Sequence, residues 1–172
     1  MVFANNTLHD VDQIFALYDA AVAFQKTKFD KHWQSFERAM IEEEIKEHRH
    51  FKIMIENQTA CIFSLSFDDA IIWGDDERNH SSIYLHRIVT NPDFRGSNFV
   101  THIKNWAVNY GALHNKKFVR MDTWGDNQKL IDYYVQSGFT FIGLKQMGKA
   151  DNLPLHYQGA SLSLFETEIL QQ

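Results

Sequence analysis

Residues 88–100 read IVTNPDFRGSNFV, and this stretch decides the fold because it joins a strand to a helix through a polar loop. The apolar pattern of residues 83–90 predicts a strand, and the Asn-Pro pair at 91–92 ends it, since proline cannot donate to a sheet ladder. Apolar residues then recur at helical spacing over 98–113. A strand over 117–123 completes a strand–helix–strand unit, whose two strands are expected to run parallel.

The residues before this unit predict two helices and a hairpin. Helical spacing of apolar residues covers roughly 8–24 and 33–46, and Thr7 with Asp10 forms a capping box before the first of these helices. Alternating apolar residues over 51–67, interrupted by Asn-Gln, predict an antiparallel hairpin. The polar and acidic residues 74–82 predict a loop.

A second stretch, residues 126–139, reads DNQKLIDYYVQSGF and predicts a helix with defined ends. Asn127 is suited to cap its start, and Tyr134 follows two turns later on the same face. Gly138 is suited to end it before Phe139 enters a strand. Strands over 139–144 and 157–165 complete a single α/β domain, residues 1–172, with a mixed sheet and helices on both faces.

Composition excludes several classes of function. The net charge of −5 and pI near 6.0 argue against nucleic-acid binding, which needs a clustered basic surface. The sequence has no run of 18 apolar residues, and residues 1–6 lack a signal-peptide pattern. A membrane protein is therefore not expected. Cys61 is the only cysteine, so an intramolecular disulfide is excluded and a buried thiol in the reducing cytoplasm is expected.

The two stretches together resemble the GNAT superfamily of N-acetyltransferases. The strand–loop–helix phrase V-x-N-P-x-x-R-G is similar to the family's, and its pyrophosphate loop is commonly (R/Q)-x-x-G-x-(G/A). This sequence keeps Arg95 but has Asn98 and Val100 where the family has small residues. Residues 127–139 match N-x-x-(L/A)-x-x-(L/Y)-Y-x-x-x-G-F at all six specified positions without a gap.

The resemblance implies a GNAT-like fold: a mostly antiparallel central sheet with one splayed pair of parallel strands. It also implies acetyl-CoA as co-substrate, with pantetheine along the strand at Ile88 and Val89. The residues implied in holding the cofactor are those two with Arg95, Gly96, Ser97, Asn98, Phe99, Val100 and Asn127. The acetyl group would be transferred directly to the amine, and the hydroxyl of Tyr134 would donate to the CoA sulfur.

The acceptor side has no motif and rests on the chemistry of single residues. A general base must remove the ammonium proton, and His86, Asp122 and Glu77 are candidates, with Asp122 preferred at the end of a strand. Aromatic residues and His86 would bind the acceptor, a small-molecule or peptide amine; these are Trp33, Phe36, Trp73, His86 and Trp124. No metal is expected at His48 and His50, which lack further ligands.

Two other functions remain open from sequence. Asn98 and Val100 motivate a non-catalytic acyl-CoA-binding or sensing domain, and a purely structural module is a weaker third possibility. A homodimer is compatible with the surplus of aromatic residues. Tight acetyl-CoA binding without turnover would favour the sensor.

Overall fold

A computed structural model of the chain describes residues 1–28, 32–125, 127–148 and 157–170. Its contacts group the described residues into two compact units. Unit 1 comprises residues 1–65 and 87–97, and unit 2 comprises residues 66–86 and 98–172. Each is discontinuous in sequence.

Six helices and two 3-10 turns are present in the described residues. The helices are α1 (Val11–Lys26), α2 (Arg38–Lys46), α3 (Ala70–Trp73), α4 (Glu77–His80), α5 (Phe99–Leu113) and α6 (Gln128–Gln136). The 3-10 turns cover Leu8–Asp10 and Pro92–Phe94. None of the described helices is both long and apolar enough to cross a bilayer.

Seven strands form the sheet in the hydrogen-bonding order β1-β2-β3-β4-β5-β7-β6. They are β1 (Val2–Asn5), β2 (His50–Ile55), β3 (Gln58–Ser66), β4 (Ser82–Thr90), β5 (Phe118–Trp124), β6 (Thr140–Gln146) and β7 (Ser161–Glu168). β4 and β5 pair in parallel, and the pairs β1–β2, β2–β3, β5–β7 and β6–β7 are antiparallel. The expected mostly antiparallel sheet with one parallel pair is therefore confirmed.

Unit 1 folds around the apolar faces of α1 and α2. Its buried cluster joins residues of both helices to β3 and β4; they are Val11, Ile14, Leu17, Tyr18, Ile41, Ile45, Ile62 and Val89. Burying each large aliphatic side chain contributes about 1.5–3 kcal/mol relative to exposure. Cys61 is fully buried here, and burial raises the pKa of its thiol to about 12.

Unit 2 is organised by the position of β5 between its two neighbours. Tyr84 of β4 pairs with Arg120, which in turn pairs with Glu166 of β7. Because side chains alternate along a strand, Arg120, Asp122 and Trp124 lie on one face of β5. Tyr84 and Glu166 lie on that same face, and this row positions the polar groups described below.

Several boundaries differ from the sequence prediction. The strand β1 was not predicted, because four half-exposed residues that pair with β2 give too short a pattern to recognise. Trp33 and Phe36 precede α2 instead of forming its first turns, since Glu37 is the extended N-cap of that helix. Their rings pack on Tyr18 as non-helical chain, with centroids 6.4 and 4.8 Å from its ring.

The last strand was predicted over 157–165 but runs over Ser161–Glu168, and the short helix α3 was not predicted, whereas most other elements follow the prediction. Thr7 donates its backbone N–H to Asp10 Oδ2 at 2.7 Å, as the capping box requires. One helical turn, α4, lies within the predicted loop, where Asp76 Oδ1 accepts the N–H of Asn79 at 2.8 Å. A single domain, a homodimer and a cytoplasmic location remain predictions.

Candidate active site

The loop after β4 has the backbone of an anion-binding turn. Gly96 has φ +86, and Asn98 adopts the left-handed conformation with φ +50 and ψ +42. Asparagine tolerates this region better than most residues, which explains how it replaces glycine here. The Asn98 side chain accepts no hydrogen bond from the first turn of α5, so it does not cap the helix N-terminus.

The residues that open α5 and close the loop differ in exposure. Phe99 and Val100 are buried, with 2% and 6% of their surface exposed, so their side chains belong to the core of unit 2. Gly96 and Ser97 are exposed. In unit 1, the exposed Arg95 holds its guanidinium carbon 4.6 Å from the ring centroid of Phe24. Backbone N–H groups are therefore the parts of Phe99 and Val100 that a ligand could use.

The parallel pairing of β4 and β5 stops before either strand ends. It runs from Ser82–Phe118 to Leu85–Met121, whereas β4 continues to Thr90 and β5 to Trp124. Arg87 follows with φ +49, which is unusual for a residue with a side chain and breaks the regular strand geometry.

Asp122 lies in β5 just beyond this last pair, within a half-buried polar cluster of unit 2. Ligand atoms of Asp69, His86 and Asp122 all lie within 4.8 Å of one another. Asp122 Oδ2 accepts a hydrogen bond from the Tyr157 hydroxyl at 3.3 Å. His86 Nε2 is 3.8 Å from Asp69 Oδ2.

Both carboxylates of the cluster hold their protons more firmly than usual. The pKa of Asp122 is raised to about 7, mainly by burial and also by the charge of Asp69, while the Tyr157 hydrogen bond partly opposes the rise. Burial likewise raises the pKa of Asp69 to about 6, with Asp68 adding to the rise and Lys145 opposing it. Carboxyl groups tuned toward neutral pH can accept a proton from an amine.

Tyr134 lies on α6, whose start and end follow the predicted pattern. Asn127 Oδ1 accepts the N–H groups of Lys129 and Leu130 at 3.1 and 3.4 Å, and Gly138 has φ +95 after the last turn. The half-buried Tyr134 ring is 5.0 Å from that of Phe165. Burial, then Tyr133 and lastly the charge of Asp122 raise the pKa of its phenol, which therefore remains a protonated donor at neutral pH.

Trp73 and Trp124 pack against one apolar cluster in unit 2, formed by Ile72, Met147, Ala160 and Leu162. The guanidinium of Arg120 lies 4.5 Å from the Trp73 ring centroid and donates to Glu166 Oε2 at 2.8 Å. The Trp73 ring therefore packs against the Arg120 guanidinium of a buried ion pair.

Three of the predicted site residues of unit 1, Val89, Trp33 and Phe36, belong to its apolar core or pack against it. Val89 is buried, and Trp33 and Phe36 pack against the same cluster. Next to them is a polar network in which His50 contacts Asn6 Nδ2 at 2.8 Å and the Tyr18 hydroxyl at 3.0 Å. Burial lowers the pKa of His50 to about 3, so the ring is neutral.

The sequence reasoning missed Asp69 and Tyr157. Asp69 directly precedes the apolar run of residues 70–73, and Oδ1 accepts the N–H of Ile72 at 3.3 Å as an N-cap. The sequence shows Asp69 as a possible helix cap but gives no indication that it lies close to Asp122. No sequence pattern identified Tyr157, which follows residues that the structure leaves undescribed.

Comparison with solved structures identifies the architecture. The chain is similar to an acetyltransferase of the GNAT family from Listeria monocytogenes 4b F2365, with a TM-score of 0.69 and 19% identity over 97% of this chain and 94% of that one. It is also similar to yncA from Salmonella typhimurium, a putative acetyltransferase solved with its cofactor acetyl-CoA, with a TM-score of 0.69 and 11% identity over 99% and 95% of the two chains. The chain has the GNAT fold.

Sequence comparisons are more limited in extent. No family model matches. YesJ of Bacillus subtilis (strain 168), described as an uncharacterized N-acetyltransferase, is 31% identical over 80 residues, which is 46% of this chain and 44% of YesJ. The aligned part thus spans less than half of that relative. Another structure with the GNAT fold, a spermidine N-acetyltransferase chimera of Vibrio cholerae SpeG and hSSAT, gives a TM-score of 0.65 at 16% identity over 98% and 96% of the chains.

Proposed function

We propose that the chain is an acetyl-CoA-dependent N-acetyltransferase that transfers the acetyl group directly to a primary amine. The observation that carries the proposal is the half-buried cluster of Asp69, His86 and Asp122 in unit 2, where burial first and the charge of Asp69 next raise the pKa of Asp122 to about 7. Tyr134 of the same unit keeps a protonated phenol at neutral pH. Amine acetylation needs a proton acceptor and a donor for the leaving sulfur.

The cofactor is proposed to bind through the loop after β4 and the start of α5. The positive φ angles of Gly96 and Asn98, and a helix N-terminus without a side-chain cap, support this because such backbones direct N–H groups toward anions. By resemblance, Arg95 to Val100 would hold the diphosphate and Ile88 with Val89 the pantetheine. Asn127 already caps α6 with its side chain, so its role toward the cofactor would be indirect.

The proposed chemistry conserves atoms and protons. Asp122 takes a proton from the bound ammonium, and the neutral amine nitrogen attacks the thioester carbonyl carbon. The C–S bond then breaks, Tyr134 donates a hydrogen bond to the departing sulfur, and the second proton that the nitrogen loses is taken up by the thiolate, so that CoA leaves as the free thiol. Because the pKa of Tyr134 is raised, its hydroxyl serves first as a hydrogen-bond donor that stabilises the thiolate.

The acceptor is proposed to be a cationic amine, small or peptidic. The half-buried carboxyl groups of Asp69 and Asp122 support a cation over an anion as occupant. A solved relative is named for spermidine acetylation, and another, from Brucella melitensis, for acetylation of a ribosomal-protein alanine, so both classes belong in the test.

The test combines binding and turnover. Isothermal titration with acetyl-CoA is expected to give saturable binding, and thiol release is expected with at least one of spermidine, 1,4-diaminobutane, L-alaninamide or a short peptide with N-terminal alanine. Binding without release across this panel would favour the acyl-CoA sensor that Asn98 and Val100 first suggested. Absence of binding would contradict both functions.

A further inference from the structure

Asp69 has an unsatisfied buried oxygen that faces the candidate acceptor cluster. Its Oδ1 caps α3 through the N–H of Ile72, but Oδ2 is buried and makes no hydrogen bond among the described residues. The side chain is 11% exposed, and Oδ2 is the atom 3.8 Å from His86 Nε2. A buried carboxylate oxygen without a donor is rare in folded proteins and calls for an occupant.

The spacing of the cluster allows an ammonium group as that occupant. An ammonium nitrogen about 2.8 Å from each acceptor holds two acceptors about 4.6 Å apart at tetrahedral angles. The ligand atoms of Asp69, His86 and Asp122 all lie within 4.8 Å of one another, so one nitrogen can reach two of them. The 3.8 Å separation of His86 Nε2 and Asp69 Oδ2 lies between this spacing and the spacing of about 3.0–3.4 Å expected around a small divalent metal. The ammonium is preferred because the proposed reaction brings an amine to this cluster.

The charges around the cluster also favour a cation. Asp68 adds negative charge near Asp69, and Lys145, whose Nζ donates to the carbonyl oxygen of Ile72, opposes it. The Tyr157 hydroxyl donates to Asp122 Oδ2, and a backbone N–H also hydrogen-bonds to this carboxyl group, so Asp122 is held in place beside Asp69. An incoming alkylammonium would supply both the charge and the hydrogen bonds that the two aspartates require.

We propose that Asp69 is the second carboxylate of the acceptor site, where it binds the ammonium group of an aliphatic primary amine together with Asp122, with His86 at the edge of the site. The inference rests on the proposed function and adds the residue that recognises the acceptor. Asp69 orients the ammonium, one N–H proton passes to Asp122, and the lone pair that this exposes on nitrogen forms the new C–N bond with the acetyl carbon.

The kinetic test uses Asp69→Asn with Asp132→Asn as the matched control. Asparagine keeps the side-chain oxygen that caps α3, so the fold is retained, while the negative charge is removed. Asp132 is an exposed residue of the same unit, on α6, whose Oδ1 accepts from Gln128 at 2.7 Å. With the best amine of the panel, Asp69→Asn is expected to raise the KM for that amine at least tenfold and leave the KM for acetyl-CoA within twofold. Asp132→Asn is expected to change neither, and equal amine KM values for wild type and Asp69→Asn would overturn the inference.

A binding test is independent of turnover and of acetyl-CoA. Carboxyl carbon NMR of the Asp69 and Asp122 side chains, with methylammonium chloride as the probe and sodium chloride at equal ionic strength as the control, is expected to show saturable shifts and a lower titration midpoint. Asp69→Asn should abolish the methylammonium effect on Asp122. No shift with methylammonium, or a shift only with Zn²⁺, overturns the ammonium site even if the enzyme acetylates amines. A protein that shows the shift but turns over no amine retains this site and loses the proposed function.

Discussion

Asp122 makes the stability of the folded chain depend on pH in a direction opposite to that of most aspartates. Its pKa is raised from 3.8 to about 7 by burial and by Asp69, so the folded state keeps a proton that the unfolded state releases. Its stabilising contribution is present below about pH 4 and is lost as the pH rises to about 7. Asp122→Asn removes this dependence. As the pH rises from about 4 to about 7, the free energy of unfolding of the variant should therefore increase by about 3 kcal/mol relative to that of wild type.

Urea unfolding of both proteins at several pH values measures this difference. The groups that face Asp122 are Asp69, His86, Tyr134 and Tyr157, and all are unchanged in the variant. Asp132→Asn serves as the exposed control and should give a difference that does not vary with pH. A constant difference for Asp122→Asn would show that this carboxyl group titrates normally in the fold.

Tyr134 provides a prediction about the leaving group. Tyr134→Phe removes the hydroxyl but keeps the ring that packs on Phe165, so folding should be preserved. We expect kcat to fall by about tenfold to a thousandfold, the range for loss of one transition-state donor, with little change in acetyl-CoA affinity. Pre-steady-state and steady-state thiol release provide the measurement. An unchanged kcat would remove Tyr134 from the proposed role.

At the scale of elements, the first turn of α5 tests whether Val100 obstructs the cofactor. Val100 is 6% exposed, so its methyl groups pack in the core of unit 2. Val100→Ala is therefore expected to lower the free energy of unfolding by about 1–2 kcal/mol. The Kd for acetyl-CoA should stay within about threefold, as measured by calorimetry. A large gain in affinity would show that valine blocks the diphosphate.

The start of α6 depends on the Asn127 side chain. Asn127→Ala removes the oxygen that accepts two backbone N–H groups and should cost about 1 kcal/mol of unfolding free energy, whereas Asn127→Asp should retain the cap. Chemical denaturation compares the two variants. If alanine and aspartate were equally destabilising, the hydrogen bonds to Lys129 and Leu130 would not be the source of the effect.

At the scale of the whole molecule, the buried ion pair of unit 2 should contribute more to the free energy of unfolding than the surface ion pairs do. The Arg120 side chain is 5% exposed and its partner Glu166 is 11% exposed, and Arg120 also donates to the Tyr84 hydroxyl at 3.3 Å. Arg120→Met removes a charge-assisted hydrogen bond but leaves Glu166 paired with Arg78, and it should lower the unfolding free energy by about 1.5–3 kcal/mol. Arg38→Met breaks the exposed pairs with Asp12 and Glu42 and should change the unfolding free energy less in the same denaturation assay. Equal losses would contradict this ranking.

The sequence alone determined the order of the main elements and most of their ends. Periodicity of 2 and 3.6 is a local property, so β4, α5, β5 and α6 could be predicted from the side chains along each segment. The ends of α6 could be predicted from Asn127 and Gly138, because the hydrogen-bond partners of both residues lie within a few residues in the sequence. Strand alternation also predicts that alternate residues of β5, Asp122 among them, share a face.

Only the tertiary structure decided which distant groups meet. Asp69 and Asp122 are 53 positions apart in sequence, and neither has a local pattern that identifies its partner. Trp33 and Phe36 had helical spacing, yet they lie in non-helical chain before α2, where their rings pack against Tyr18. Sheet register, not local propensity, sets the row from Tyr84 through Arg120 to Glu166. Burial at such long-range contacts is also what moves the pKa of Asp122, because desolvation depends on the atoms that surround a group in space.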